Sequence, residues 1–310
     1  MAHESTGAIY AAAGANLAIA AAKFVGGALT GSTAMIAEGV HSVVDTANQV
    51  LLLVGMKRAE RPADARHPFG YGREIYFYAF VVALMIFLGG GLFAIYEGIA
   101  RIRHPEPDVD AEILGYRLPG IWVNVAILGF SIAAEGTSFF VALRQFWAEK
   151  GKLSAVRAIR RSKDPTLFTV LAEDAAALIG LLIALAGVCL SHILEMPSLD
   201  GWASVGIGLV LVGMAGFLMI ETHGLLIGEA ADPELVKALH DCTQAHAGVV
   251  AVKEVLTVHQ APDVVVAIIS ADFDDDISAR DVEQAVADIE AAIAARFPLV
   301  ARVYIRPLGS

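Results

Sequence analysis

Residues 33–56 read TAMIAEGVHSVVDTANQVLLLVGM, a long apolar run that contains a few polar residues. A helix of about 20 residues crosses the roughly 30 Å hydrocarbon core of a bilayer. Because lipid offers the backbone no hydrogen bonds, an apolar run of this length predicts a helix. The run carries a polar series at spacings of three, four and three residues: Glu38, His41, Asp45 and Asn48. At about 100° per residue, these four side chains share one helix face.

Five further apolar runs lie on either side of this stretch. Hydrophobic residues make up 56% of the 310 residues and charged residues 18%, against roughly 45–50% and about 25% in an ordinary soluble domain. Each run is long enough to span a bilayer, and the five lie at residues 7–29, 75–100, 119–147, 166–190 and 202–226. We therefore predict a membrane all-α domain of six transmembrane helices over residues 1–228.

Basic residues are unevenly distributed between the loops. The loops after the second and fourth predicted spans contain five and six Lys or Arg residues, whereas the other loops contain three. Since basic loops remain on the cytoplasmic side, both termini of a six-span chain are predicted to be cytoplasmic. The first residues lack the basic region and cleavage site of a signal peptide. We expect a multi-pass integral protein of the cell membrane, the inner membrane in a bacterium.

Residues 229–310 have a different composition and pattern. They contain 14 acidic and 6 basic residues, which argues against a nucleic-acid partner because phosphate backbones are bound by clustered Lys and Arg. The pattern predicts an α+β domain of order αββαβ that covers a small sheet with helices. Its predicted elements lie at residues 232–246, 250–259, 264–273, 278–297 and 300–306, with Ser278 as the N-cap of the second helix.

The polar face of the second span favours a divalent-metal site. His41 and Asp45 lie one helical turn apart, which places an imidazole beside a carboxylate. In the fifth span, Glu173 and Asp174 interrupt a run that is otherwise apolar over residues 167–190. Adjacent residues point about 100° apart, so we expect only one of these acids to meet the second span. Such ligands suit zinc, and also Mn, Fe, Co or Ni. The alternative is a His–Asp hydrogen bond that only joins helices.

Three other features of the spans each have two interpretations. Lys23 is expected to pair with a carboxylate or to reach the membrane interface. Glu135 either relays protons or pairs with Lys23. The three glycines at residues 89–91 predict close packing or a bend in the third span.

The sequence around these residues resembles the cation diffusion facilitator family of divalent-metal exporters. The HxxxD pattern of His41 and Asp45 matches, as do residues 32–34 and the HPFGYGR loop at residues 67–73. The resemblance covers nearly the whole chain, since it includes six spans and a ferredoxin-like cytoplasmic domain. Residues 171–174, Leu-Ala-Glu-Asp, are similar to the zinc transporter nine-like branch of the family.

The resemblance implies a homodimer that exchanges a divalent cation for protons, with one metal site between the second and fifth spans of each protomer. Three of the family's four ligand positions are matched. Val170 stands at the fourth, so the site must recruit a substitute side chain or use water. The implied ligands are His41, Asp45 and Asp174, with Glu173 and Asn48 as the nearest substitutes and Glu38 after them.

We therefore predict a metal/proton antiporter that works by alternating access. Zinc is the expected substrate, protons are the counter-ion, no cofactor is needed, and lipid and a second copy of the chain are partners. The alternatives are a transporter of Mn, Fe, Co or Ni, a proton-independent cation channel, and a metal sensor that passes no ions. An enzyme is not expected, because the sequence contains no nucleophile–base set or cofactor motif.

Overall fold

The computed structural model describes residues 2–105, 110–113, 116–150 and 163–308. They form two compact units. The first comprises the described residues within 1–55, 78–154 and 166–221, and the second comprises those within 56–77, 155–165 and 222–310. The domain boundary that we place at Gly228 stays a prediction.

Long helices occupy all six apolar runs of the sequence. The third run differs from the others because a π-helix divides it into two α-helices. In chain order the elements are α1 (Ala2–Thr30), α2 (Thr33–Ala59), α3 (Glu74–Met85), the π-helix (Ile86–Leu92), α4 (Phe93–Arg103), α5 (Gly120–Lys150), α6 (Pro165–Ile193) and α7 (Ser198–Ile227).

Among the described residues, four stretches are helical, long and apolar enough to cross a membrane. They are Glu74–Arg103, Gly120–Arg144, Phe168–Ile193 and Ser198–Ile227. The helix α2 is long enough, but its polar series makes it less apolar than these four. In α1, residues 16–30 form a shorter apolar segment. The chain is therefore an integral membrane protein, and the count of six spans stays a prediction.

The third run packs against α7 through glycines. A Cβ atom at Gly98 would lie 2.6 Å from the carbonyl oxygen of Gly201, and one at Gly208 would lie 2.7 Å from the carbonyl oxygen of Gly91. Such distances exclude a side chain, so these backbones approach because glycine has none. We call Gly91, Gly98, Gly201 and Gly208 the glycine seam. The close packing predicted for residues 89–91 is thereby confirmed at Gly91.

A short hairpin that the sequence pattern did not predict precedes α5. The strand β1 (Ala111–Ile113) pairs antiparallel with β2 (Tyr116–Leu118), with Ala111 opposite Leu118. Each strand has three residues, which is too short for an alternating hydrophobic pattern to identify it.

The residues after α7 have the predicted order αββαβ. The elements are α8 (Pro233–Gln244), β3 (Val249–Ala261), β4 (Val264–Phe273), α9 (Ala279–Arg296) and β5 (Val300–Leu308). In the sheet that these residues form, β4 is central, antiparallel to β3 and parallel to β5. Alternate residues of β4 enter a core that includes Ile269 together with Leu239 of α8 and Ile289 of α9.

Both helices of this domain begin with side-chain caps. A carboxylate oxygen of Asp232 accepts the backbone N–H of Glu234 at 2.9 Å. The hydroxyl of Ser278 accepts the backbone N–H of Asp281 at 3.3 Å, and the Asp281 carboxylate accepts the backbone N–H of Ser278 at 3.1 Å. This reciprocal capping box confirms Ser278 as the N-cap. The Ser278 hydroxyl also donates to the Asp281 carboxylate at 2.6 Å. This hydrogen bond, together with the one from the Ser278 backbone N–H, lowers the pKa of Asp281.

Candidate functional site

The polar series on α2 is buried within the first unit. Glu38, His41 and Asn48 expose at most 1% of their surface, and Asp45 exposes 8%. The Nε2 atom of His41 lies 3.4 Å from Oδ2 of Asp45. Since all four side chains point away from the surface, the prediction that they share one helix face is confirmed.

The two adjacent acids of α6 point in different directions. The side-chain amide of Asn48 on α2 donates to Oε1 of Glu173 at 2.9 Å. The hydroxyl of Ser138 on α5 donates instead to Oδ2 of Asp174 at 3.1 Å. Glu173 is buried, whereas Asp174 is partly exposed. As the 100° separation predicts, only one of the acids meets α2 in this conformation, and that acid is Glu173.

Several donor and acceptor atoms of this cluster have no hydrogen-bond partner among the described residues. They are both ring nitrogens of His41, Oδ1 of Asp45 and Oδ1 of Asn48. A buried polar atom without a partner costs about 1–3 kcal/mol, so native proteins satisfy nearly all of them. Imidazole nitrogen and carboxylate oxygen are also the atoms that bind zinc and similar divalent cations. The cluster therefore contains atoms of the kinds that bind a divalent cation.

The five predicted ligands do not all converge in this conformation. Within the part of the chain that the structure describes, no three His, Cys, Asp or Glu side chains are arranged to hold a metal ion. His41 contacts Asp45, and Asn48 hydrogen-bonds to Glu173, while Asp174 hydrogen-bonds to Ser138 of α5. The ligand set therefore stays a prediction, and Asp174 has to move towards α2 if it joins the others.

Lys23 of α1 is fully buried and neutralises one of the carboxylates on α2. Its Nζ atom donates to Oε2 of Glu38 at 3.2 Å and to the hydroxyl of Ser42 at 2.8 Å. The prediction that Lys23 pairs with a carboxylate is confirmed. Because Glu38 already has a cationic partner, its contact with Lys23 favours a structural role over metal binding.

Asp200 of α7 holds the start of α2, a role that sequence reasoning missed. This aspartate is 1% exposed. Its Oδ2 accepts the backbone N–H of Thr33 at 2.6 Å and the Thr33 hydroxyl at 2.7 Å, and its Oδ1 accepts the Ser32 hydroxyl at 2.6 Å. An acidic residue at the start of an apolar helix was the available signal. Asp200 caps α2 from another helix and so fixes the axial position of the helix that carries His41 and Asp45.

Comparison with known proteins identifies the family. The family model of the cation efflux transmembrane domain matches residues 9–227. The chain is 32% identical over 229 residues to the proton-coupled zinc antiporter SLC30A9, mitochondrial, of Xenopus laevis, covering 73% of this chain and 39% of that protein. The human protein of the same name is 30% identical over 236 residues, or 75% of this chain and 40% of the relative.

A plant relative shows a similar degree of identity. Metal tolerance protein C4 of Arabidopsis thaliana is 32% identical over 228 residues, which cover 68% of this chain and 47% of the relative. The aligned region thus spans less than half the length of each of these three relatives. Since the family model matches well over half of this chain, the chain belongs to the cation efflux, or cation diffusion facilitator, family and is related to its SLC30A9 branch.

Proposed function

We propose that this chain exports a divalent cation, zinc first, in exchange for protons. One observation carries the proposal: the buried row of His41, Asp45, Asn48 and Glu173 between α2 and α6, with nitrogen and oxygen atoms that lack hydrogen-bond partners among the described residues. Polar groups of this kind inside apolar helices are costly and mark ion or proton pathways. The names of the SLC30A9 relatives, which describe proton-coupled zinc antiporters, support the same substrate and counter-ion.

Competition between protons and metal explains the coupling. A metal ion binds neutral imidazole and ionised carboxylates, so binding at His41, Asp45 and Glu173 or Asp174 releases protons from these groups. Protons that arrive from the opposite side displace the ion by the reverse reaction.

The burial of the proposed site supports alternating access. Because His41 and Asp45 expose at most 8% of their surface, an ion reaches them only after the surrounding helices rearrange. We propose that α2 and α6 carry the site through this change across a six-span domain. In the metal-bound state, Asp174 leaves Ser138 and joins His41 and Asp45, while Asn48 keeps Glu173 close to the ion.

The topology and assembly are parts of the proposal. The excess of Lys and Arg in the loops after the second and fourth runs supports cytoplasmic termini. A homodimer is supported by an apolar row across the sheet of the second unit. Ile268 of β4 lies opposite Leu256 of β3 and Tyr304 of β5, and these residues are 43%, 52% and 44% exposed. A second copy of the chain could bury this row.

Isosteric substitutions test the site assignment. We expect Asp45→Asn and Asp174→Asn each to reduce zinc uptake into proteoliposomes by about 100-fold or more, because each removes a ligand charge, and losing a residue that merely orients a ligand already costs about 10–100-fold. Asp275→Asn in the exposed turn after β4 removes the same charge outside the site and should transport normally. Normal transport by Asp45→Asn, with a monodisperse and folded protein, would overturn the assignment.

A further inference from the structure

A cavity separate from the transport site lies entirely within the second unit. It encloses about 600 Å³ and is framed by the C-terminal ends of α2 and α7, the start of α3 and the loop at residues 60–73. Three arginines line it, Arg58, Arg66 and Arg73, against one carboxylate, that of Glu74. The balance of charge in the lining is positive and suits an anion.

The loop that forms one wall is held in a fixed shape by Asp64. The Asp64 carboxylate accepts the backbone N–H groups of Arg66 and His67 at 2.9 Å and 2.7 Å, and the hydroxyl of Tyr71 at 2.7 Å. The hydrogen bond from Tyr71 lowers the pKa of Asp64, so that this carboxylate is ionised at neutral pH. Arg66 is therefore placed beside the cavity before any ligand arrives, which reduces the entropy cost of binding.

Arg73, which lines the cavity, also has an unsatisfied donor. Its Nε atom is buried and has no hydrogen-bond partner among the described residues. A Cβ atom at Gly228 would lie 2.9 Å from an Nη atom of Arg73, so the glycine leaves room for the guanidinium. Gly228 also has a φ of +114°, which other residues rarely adopt. Guanidinium groups bind phosphate through paired hydrogen bonds. A guanidinium donor that has no partner is available to form one of them.

The lining of the cavity also has an apolar part. Phe77 and Leu226 line the cavity beside the arginines. They lie near the ends of α3 and α7, and the apolar stretches that contain them are long enough to cross a membrane. The ends of such helices lie at the depth of the lipid headgroups, where arginine and aromatic side chains meet both water and acyl chains.

We propose that this cavity binds the phosphate headgroup of an anionic membrane phospholipid. The guanidinium groups of Arg58, Arg66 and Arg73 face the phosphate, and the acyl chains cover Phe77 and Leu226. Free phosphate would match the arginines but would leave the apolar wall exposed. The lipid would join the ends of α2 and α7 to the loop at residues 60–73. This site is independent of the metal ligands on α2 and α6.

Native mass spectrometry of delipidated full-length protein in detergent tests the proposal. Phosphatidylglycerol is titrated into the wild-type protein and into the variants Arg66→Gln and Arg73→Gln, and phosphatidylcholine serves as the uncharged comparison. The matched control is Arg61→Gln, which removes an arginine from the same loop but outside this cavity. Each cavity variant should weaken phosphatidylglycerol binding about tenfold, the loss expected for one charged hydrogen bond, whereas Arg61→Gln should not.

The outcomes separate the two sources of phosphate. Tight phosphatidylglycerol binding that both cavity variants weaken, with weak phosphatidylcholine binding throughout, supports the lipid site. Equal binding of the two lipids, or unchanged binding by Arg66→Gln, overturns it. Inorganic phosphate that competes fully with the lipid at equal concentration overturns the lipid as occupant. Arg66 is exposed, so this variant retains the fold even if Arg73→Gln does not.

Discussion

Two carboxylates buried on α2, those of Glu38 and Asp45, have different surroundings at the residue scale. Lys23 neutralises Glu38 at 3.2 Å. Asp45 lies beside His41, with Nε2 of His41 3.4 Å from its Oδ2. Each of the two carboxylates keeps one oxygen without a hydrogen-bond partner among the described residues. A buried carboxylate charge without a cationic partner is costly in free energy. Because Glu38 has the Lys23 ammonium as its partner and Asp45 has an imidazole, the proposed function keeps Asp45 as a ligand and Glu38 as part of the framework.

Replacing Lys23 by Met should separate these roles. The variant leaves Glu38 buried beside no cation, and we expect a loss of about 3–5 kcal/mol in the free energy of unfolding. Adding Glu38→Gln should recover part of that loss. Thermal unfolding in detergent measures both effects, with Lys57→Met at an exposed position as the control. A Lys23→Met variant as stable as the wild type would contradict the pairing.

His259 of β3 gives a prediction for acidic pH. It is 3% exposed, and burial lowers its pKa from the ordinary value of 6.5. The unfolded chain therefore takes up a proton near pH 6.5 that the folded chain does not, and stability falls as the pH falls through this range. His259→Gln should lose less stability between about pH 7.5 and 5.5. Equal pH dependence of unfolding in the two proteins would contradict this prediction.

The sequence predicted the polar face of α2 better than the contacts that its residues make. Periodicity placed Glu38, His41, Asp45 and Asn48 on one face, because helix geometry alone determines that. It could not determine which acid of α6 meets α2, since either choice satisfies a 100° separation. The packing of α6 settles this for the present conformation, in which Asn48 contacts Glu173.

At the scale of elements, two neighbouring helices hold the N-terminal half of α2. Asp200 caps its first residues from α7, and Lys23 contacts it from α1. The fixed N-terminus and the buried polar row belong to one helix, so movement of α2 against its neighbours changes the site as a whole. Asp200 and Thr33 are 167 residues apart in sequence, and no local pattern could reveal such a contact.

The glycine seam makes a prediction about the packing of the third run on α7. A Cβ atom at Gly98 would meet the carbonyl oxygen of Gly201 at 2.6 Å, and a backbone atom cannot move aside as a flexible side chain can. Gly98→Val should therefore destabilise the protein by about 1–3 kcal/mol or prevent its assembly.

Gly129→Val is the matched control for that substitution. A Cβ atom at Gly129 on α5 meets nothing within 4 Å among the described residues, so the same change should have little effect there. Thermal unfolding of both variants in detergent makes the comparison. Equal unfolding temperatures for the two variants would contradict the close contact at the seam.

Secondary structure was predictable where periodicity extends over many residues. The elements of the tail lie within a few residues of their predicted bounds because alternating and helical patterns run through each of them. The π-helix at residues 86–92 and the hairpin before α5 were not predicted. Both are short, so no periodic pattern extends over enough residues to identify them.

At the scale of the whole molecule, composition and family agree on an integral membrane protein of the cation efflux family. The expectation that the chain is not an enzyme is confirmed, because the relatives are transporters of the cation efflux family. The organelle does not follow from the same observations. The SLC30A9 relatives are named as mitochondrial, whereas loop charges indicate only the side of the membrane.

The most direct test of exchange at the buried row is zinc uptake into proteoliposomes that contain a zinc-sensitive dye. The initial rate is measured under clamped membrane potential, with the lumen either acidic or at the external pH. We predict faster uptake into vesicles with an acidic lumen, because protons that leave the lumen drive zinc inward, and we predict no such stimulation for Asp45→Asn. Uptake by the wild-type protein at the same rate under both conditions would contradict proton exchange.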